Sequence, residues 1–458
     1  MDVFVIEGGR KLSGSLRIKG SKNAALPLLA ATLLSDEPVT LRDVPDLSDI
    51  RNMYRLLGEL GVQIDKHPLD ERIDGDDLSP PITLQVTDPS EHHARYDIVR
   101  TMRASICVLG PILAKRGRAR VSMPGGCAIG QRPVDLHLRG LEALGAKITL
   151  EGGDIVATVP QSGRLIGDTV FLGGPFGSTV LGTANVMSAA TLAQGTTTIE
   201  CAACEPEIVD LANMLIGMGA KISGAGSPRI TIEGVESLGG VDHTVIPDRI
   251  EAGTFMCAAA ITNSTLTLTN CPLDAMMSAT DRLEAIGVHI DPTDHLTGQP
   301  NSTDPLRRTC TVSTSGTLRP VQITTQPHPG FPTDLQAQFM ALLCLAEGNS
   351  VVTEKIFPER FLHVAELTRM GATVHRHGTT AVISGVKELT GAPVMASDLR
   401  ASAGLVLAAL AADGTTVINR VYHIDRGYER LEHRLASVGA SIQRLSEEQT
   451  AELGLMSE

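Results

Sequence analysis

The chain has no tryptophan, and its 8 phenylalanines and 4 tyrosines make up 3% of 458 residues. Its cores must therefore be aliphatic and small-residue, which a 42% hydrophobic content supplies amply. No apolar run reaches the length of a membrane span. The start, Met-Asp-Val-Phe-Val-Ile-Glu, lacks the basic region and apolar stretch of a secretory signal and reads as a strand of the mature protein. Positive charge is also short: 39 Lys and Arg face 52 Asp and Glu, a net charge of −13. That balance argues against generic binding to nucleic acid or an anionic membrane, while a local Arg and Lys cluster still admits small anions. The eight cysteines follow no secreted-scaffold pattern, which points to a reducing, cytosolic setting. Cys201-Ala-Ala-Cys204 is a lone CxxC without a second pair and reads as structural. The 13 histidines show no ligand spacing on one helix, so no metal is expected. His375 and His377, two apart, read as one face of a hairpin.

A single compact core cannot serve a chain of this length, so two domains of roughly 200 residues are expected. One phrase recurs six times: a helix ending in apolar-Gly-small, followed by a strand. It stands at Leu60-Gly-Val, Leu144-Gly-Ala, Met218-Gly-Ala, Ile286-Gly-Val, Met370-Gly-Ala and Val438-Gly-Ala. The glycine suits the left-handed position just past a helix. The last three glycines follow the first three by 226, 226 and 220 residues (287 − 61, 371 − 145, 439 − 219). The chain is thus a duplicated half, with three copies of one unit per half.

A second helix also recurs six times, rich in Ala and Leu: 23–34, 102–114, 180–193, 251–262, 335–346 and 401–412. Being apolar on nearly every face, these six should be buried all round. The helix 48–60 instead carries Ile50, Met53, Leu57 and Leu60 on one stripe and should lie outside, on a sheet. The pattern predicts an α/β (α+β) fold: a two-domain inside-out α/β barrel, three repeated units per domain. Polar, Pro-rich excursions at 66–97 and 292–320 read as surface hairpins.

Each buried helix starts with polar residues: Lys22-Asn23, Arg103, Ser178-Thr179, Asp248-Arg249-Glu251, Asp334 and Asp398-Arg400. Helix N-termini present unpaired amides and favour anions. The plainer reading makes Asp248, Asp334 and Asp398 simple N-caps. Between two of these helices lies Met123-Pro-Gly-Gly-Cys-Ala-Ile-Gly-Gln-Arg-Pro-Val-Asp-Leu136. Three glycines and two prolines in fourteen residues make it a shaped loop. It carries one thiol, Cys127, and one guanidinium, Arg132. A thiol near cationic groups acts as acid, base or nucleophile; the alternative is an inert surface cysteine.

This loop resembles the catalytic loop of the UDP-N-acetylglucosamine 1-carboxyvinyltransferase family, enolpyruvyl transferases of the first committed step of peptidoglycan synthesis. The resemblance extends along the chain through Gly20-Ser-Lys-Asn-Ala-Ala-Leu-Pro27, Arg100-Thr-Met-Arg-Ala-Ser105, Phe331-Pro-Thr-Asp-Leu-Gln-Ala-Gln338, Asp398-Leu-Arg-Ala-Ser402 and His423-Ile-Asp-Arg-Gly-Tyr-Glu-Arg430. It implies the enolpyruvyl-transferase fold, with an N-terminal domain of 22–245 holding the loop 123–136. A C-terminal domain of 1–21 plus 246–458 follows, with the active site in the cleft and a hinge at the two crossings.

The resemblance also implies roles. Cys127 matches the general acid, which can hold a covalent phosphoenolpyruvate adduct and is attacked by the epoxide fosfomycin. Asp334 matches the base, and Lys22 and Arg400 complete the catalytic set. Lys22, Asn23, Arg132, Arg400 and Arg426 match phosphoenolpyruvate contacts. Positions holding the sugar nucleotide match Asn23, Arg103, Arg132, Pro133, Val134, Asp135, Leu136, Asp334 and Ile356; Phe357 and Arg360 are expected nearby, and Ser178 and Thr179 are expected at the diphosphate, in a Gly-rich stretch that binds through backbone amides. No cofactor is implied, phosphoenolpyruvate being a co-substrate. The implied partners are these two small molecules, with no nucleic acid or membrane, and the implied setting is cytoplasmic. Two departures bear on the acceptor. Ser48 stands where family members often have lysine, and Gly173-Gly-Pro-Phe-Gly-Ser-Thr-Val180 replaces a commoner Lys-containing stretch. An acceptor such as UMP, shikimate 3-phosphate, or a non-catalytic sugar-nucleotide regulator are the alternatives.

Overall fold

A computed structural model describes residues 2–68, 78–124, 134–293 and 304–452. They divide into two compact units: one of residues 2–18 and 247–452, the other of residues 19–124 and 134–246. Each unit repeats one motif three times, and the motif ends in a four-stranded sheet. In the first-completed copy, Val241–Thr244 runs parallel to Val39–Arg42, which pairs antiparallel with Ile82–Val86, itself antiparallel to Val62–Lys66. The other five sheets share that order of one parallel and two antiparallel pairings. Two strands come from far away in sequence. Ser13–Arg17 lies parallel to Thr265–Cys271, and Asp2–Glu7 pairs with both Thr415–Asn419 and Ser441–Ser446.

The sheets are one-sided. In Thr196–Glu200, Thr197 and Ile199 are buried while their neighbours are not, the period-2 signature of a strand with one wet face. The helices under the sheets are the Ala-rich ones: Lys22–Ala31, Leu109–Arg116, Val180–Ala190, Arg249–Ile261, Gln336–Leu343 and Leu399–Ala411. Nearly every side chain of Leu399–Ala411 is buried, and small residues allow that: Gly404 sits so close to Ala337 that an added Cβ would come within 2.8 Å of its carbonyl oxygen. The outer helix Ser48–Glu59 buries Ile50, Met53 and Leu57 as its stripe predicts.

All six repeat glycines have positive φ, from 77° at Gly61 to 112° at Gly287. Five stand one residue beyond the cap; Gly287 is itself the cap of Met277–Ile286. Two buried helices begin later than their apolar runs suggest. The stretches Arg103–Val108 and Thr333–Leu335 are 3-10 turns that hand over to α-helix at Leu109 and Gln336. The hairpin at 66–97 has its strands at Val62–Lys66 and Ile82–Val86, and that at 292–320 at Val288–Pro292 and Arg308–Thr314. His375 and His377 are both exposed on Thr373–His377. Among the described residues no helix is long and apolar enough to cross a membrane, and no cluster of His, Cys, Asp and Glu could hold a metal ion.

Candidate active site

In the unit of residues 19–246, Lys22 opens its helix behind the N-cap Ser21, whose hydroxyl accepts from the Ala24 amide. The Lys22 ammonium is buried and lies 2.6 Å from the Asp49 carboxylate, also buried. Two buried opposite charges at this distance hold each other, so Asp49 fixes the Lys22 ammonium in place. Asn23, half-buried, follows on the same turn.

Arg103 begins its 3-10 turn close to His137, on the helix Asp135–Ala143. Asn185 ties these segments together. Its amide nitrogen donates to the Ile106 carbonyl at 2.8 Å and to His137 Nδ1 at 2.9 Å, and its oxygen accepts from the Gly110 amide at 2.7 Å. His137 must accept through Nδ1 and is therefore neutral. Burial, helped by the charge of Arg103, lowers its pKa to about 3. Val134 is buried, Leu136 half-buried and Asp135 exposed at the start of that helix. Leu136 packs on the Gly-rich hairpin, its Cδ1 only 3.1 Å from where a Cβ on Gly174 would stand. The hairpin pairs Gly173–Gly174 with Gly177–Ser178 and leads into Thr179, the N-cap of Val180–Ala190, whose hydroxyl accepts from the Gly182 amide. Cys127, Arg132 and Pro133 lie outside the described residues.

In the other unit, the three acids at helix starts behave differently. Asp248 accepts from the Ile250 and Glu251 amides, and Asp398 from those of Arg400 and Ala401. Neither the 3-10 turn holding Asp334 nor the helix after it has a side-chain cap. The Asp334 carboxylate instead meets Arg360 Nη1 at 2.8 Å and Arg400 Nε at 3.4 Å. Arg400 is only 1% exposed, and its Nη1 and Nη2 have no hydrogen-bond partner among the described residues. Burial opposes its charge, but Tyr428, Asp334 and Asp248 outweigh that and raise its pKa. A guanidinium with two donors unused in a buried place suits an incoming anion.

Arg360 also donates to the Thr333 hydroxyl at 3.0 Å and lies against the Phe357 ring. Ile356 and Phe357 are held by a residue that the motifs do not single out, Glu354. This fully buried carboxylate accepts from the Ile356 and Phe357 amides at 2.8 and 2.9 Å and from the Thr325 and Thr333 hydroxyls at 2.7 and 2.9 Å. The signal was present: Ser350, Val352 and Glu354 alternate on one inward face. Asp49 is likewise one turn before Met53 on the buried stripe of its helix. Arg426 closes the 3-10 turn Val421–Arg426 and is half-buried. The structure thus brings Asp334, Arg360 and Arg400 into direct contact, with Ile356 and Phe357 joined through Glu354, and it ties the 3-10 turn Arg103–Val108 to the helix Asp135–Ala143 through Asn185.

Six Ala-rich buried helices and six four-stranded sheets, three of each per unit, make the architecture of the enolpyruvyl transferase class. The solved enolpyruvyl transferase NikO from Streptomyces tendae superposes with a TM-score of 0.84 at 26% identity, over 97% of this chain and 99% of that one. A profile of the EPSP synthase (3-phosphoshikimate 1-carboxyvinyltransferase) family matches residues 6–435. Closer in sequence is a UDP-N-acetylglucosamine 1-carboxyvinyltransferase of Anaeromyxobacter sp. (strain Fw109-5), 51% identical over 444 residues, 97% of this chain and 99% of the relative. Another, of Akkermansia muciniphila, is 50% identical over 448 residues, 98% and 100% of the two chains. The chain belongs to the EPSP synthase family and, within it, to the UDP-N-acetylglucosamine 1-carboxyvinyltransferase group.

Proposed function

We propose that this chain transfers the enolpyruvyl group of phosphoenolpyruvate to the 3-hydroxyl of UDP-N-acetylglucosamine and releases phosphate, the first committed step of peptidoglycan synthesis. The observation that carries the reading is Asp334. Its carboxylate stands at a helix start without serving as a cap, between two guanidiniums, one of which has two unused donors. A proton acceptor beside an anion holder is what an addition to phosphoenolpyruvate requires.

The acceptor hydroxyl attacks C2 and passes its proton to Asp334, while C3 takes a proton from Cys127. The tetrahedral intermediate then loses a C3 proton and expels phosphate. Arg400, with Lys22, Arg132 and Arg426, holds the phosphate and carboxylate. Lys22 is a point charge fixed by Asp49; Arg400 is a rigid fork. Asn23, Arg103, Arg132 to Leu136, Ser178, Thr179, Ile356, Phe357 and Arg360 hold the sugar nucleotide. At the Gly-rich hairpin, backbone amides and the Ser178 and Thr179 hydroxyls take the place of a lysine. The reaction needs no cofactor. A phosphoenolpyruvate adduct forms on Cys127, the same thiol that fosfomycin alkylates, and the enzyme works in the cytoplasm. Identity near 50% to the sugar-nucleotide enzymes, against 26% to NikO, favours this acceptor.

The test is phosphate release from phosphoenolpyruvate with a panel of acceptors. UDP-N-acetylglucosamine should support turnover, and UMP and shikimate 3-phosphate should not. Turnover with either of those two, and none with the sugar nucleotide, would refute the acceptor.

A further inference from the structure

Behind Asp334 and Arg400 lies a set of hydrogen bonds made by three fully buried polar side chains: Thr254 on Arg249–Ile261, Gln338 on Gln336–Leu343, and Tyr428; the Gln338 Oε1 takes no part in it. Their donors and acceptors can be assigned in order. The Ile250 carbonyl only accepts, so the Thr254 hydroxyl donates to it, at 2.8 Å. The Thr254 oxygen is then an acceptor, and the Tyr428 hydroxyl donates to it at 2.8 Å. The Asp334 carbonyl also only accepts, so Gln338 turns its amide nitrogen there, at 3.0 Å. Its second hydrogen faces the oxygens of Tyr428 at 3.1 Å and Thr254 at 3.2 Å. That second hydrogen is shared between the two oxygens.

The set touches the reacting groups from behind. Gln338 fixes the main chain of Asp334, whose 3-10 turn has no side-chain cap to hold it. The Tyr428 ring lies under Arg400, its centroid 5.4 Å from the guanidinium carbon. A buried, hydrogen-bonded ring gives the guanidinium a fixed floor with a favourable cation–π contact. Burial also raises the pKa of Tyr428, against the pull of Arg400 and Thr254, so the phenol stays a donor.

We propose that Thr254, Gln338 and Tyr428 are positioning residues that set the relative placement of Asp334 and Arg400. They touch no substrate. The inference rests on the functional reading above but concerns side chains outside the family's matched site.

The test uses the full chain and single-atom changes. Tyr428→Phe keeps the ring and removes one hydroxyl. It should lower kcat about tenfold while leaving the KM for UDP-N-acetylglucosamine within about threefold, as expected when geometry at the reacting groups is lost and binding is not. Thr254→Ser keeps the hydroxyl and should stay near wild type, whereas Thr254→Val keeps the shape and should lose activity; a packing role predicts the reverse. Combined with Arg400→Lys, which has already lost the rigid fork, Tyr428→Phe should cost little more. Wild-type kcat in Tyr428→Phe, full activity in Thr254→Val, or additive losses would overturn the proposal. Should the wild type release no phosphate with these substrates, the functional reading fails, and binding of inorganic phosphate by calorimetry judges the inference. Several-fold weaker binding in Tyr428→Phe supports it; unchanged binding, or none in the wild type, overturns it.

Discussion

Asp334 and Asp398 occupy equivalent places in two copies of the repeated unit, each at the start of a buried helix, yet they do different work. Asp398 turns back onto its own helix and takes two amides. Asp334 sits one residue further from its α-helix, inside a 3-10 segment, and its carboxylate leaves the backbone for Arg360 and Arg400. The repeat acts as an internal control. Where a residue follows the pattern of its copies, the pattern explains it; where it departs, a chemical demand explains it. An amide-capped carboxylate has its lone pairs committed to holding a helix. A carboxylate between guanidiniums is anchored by charge and spends none of its lone pairs on a helix cap.

Changes to the scaffold around that contrast sharpen it, and the largest effect is expected at Glu354. Glu354→Ala leaves two amides and two hydroxyls without their buried acceptor and should cost at least about 3 kcal/mol in denaturant unfolding. It should also raise the KM for the sugar nucleotide, because Ile356, Phe357 and Thr333 lose their anchor. Unchanged stability would mean that the turn 354–357 holds itself.

Acid should act next. Burial lowers the pKa of His137 to about 3 and that of His363 to about 4, each from an ordinary 6.5. The unfolded chain therefore binds more protons below pH 6.5, so stability is full above that value and falls as pH drops toward 3 to 4. Each histidine should remove about 2 kcal/mol by pH 5, at roughly 1.4 kcal/mol per pH unit. The check is urea melts from pH 8 to 5 on wild type and His137→Gln; a flat profile in the wild type would contradict the burial argument. The smallest effect is the cap itself. Asp398→Ala should cost only about 1 kcal/mol of stability, read by thermal melting.

Much of this was legible in the residues. The apolar-Gly-small phrase announced six helix ends, and all six glycines take the predicted backbone. The Ala-rich runs announced helices buried on every face. Asp334 and Arg400 were visible through matched blocks, and Arg360 as an expected neighbour of the sugar-nucleotide positions; the three meet in space. What the residues did not announce depends on long-range pairing. No local pattern says that Asp2–Glu7 joins a sheet with strands more than 400 residues away. Nor does spacing say that an aspartate before a helix will decline to cap it; that needed the positions of Arg360 and Arg400. Asn185 was hidden because a polar residue inside an apolar pattern looks like noise until its partners are known, and the alternation that places Glu354 inward does not say what it holds.

The central claim is that Asp334 is a proton acceptor and not a structural acid. Asp334→Asn tests it most directly, because the amide keeps the size and can still bond to Arg360. Turnover and calorimetric binding of UDP-N-acetylglucosamine should be measured on the same preparation. The account predicts a loss of kcat of roughly 10² or more, with binding within a few-fold of wild type and an unchanged melting temperature. Near-wild-type turnover, or a loss that merely follows a drop in stability, would contradict it.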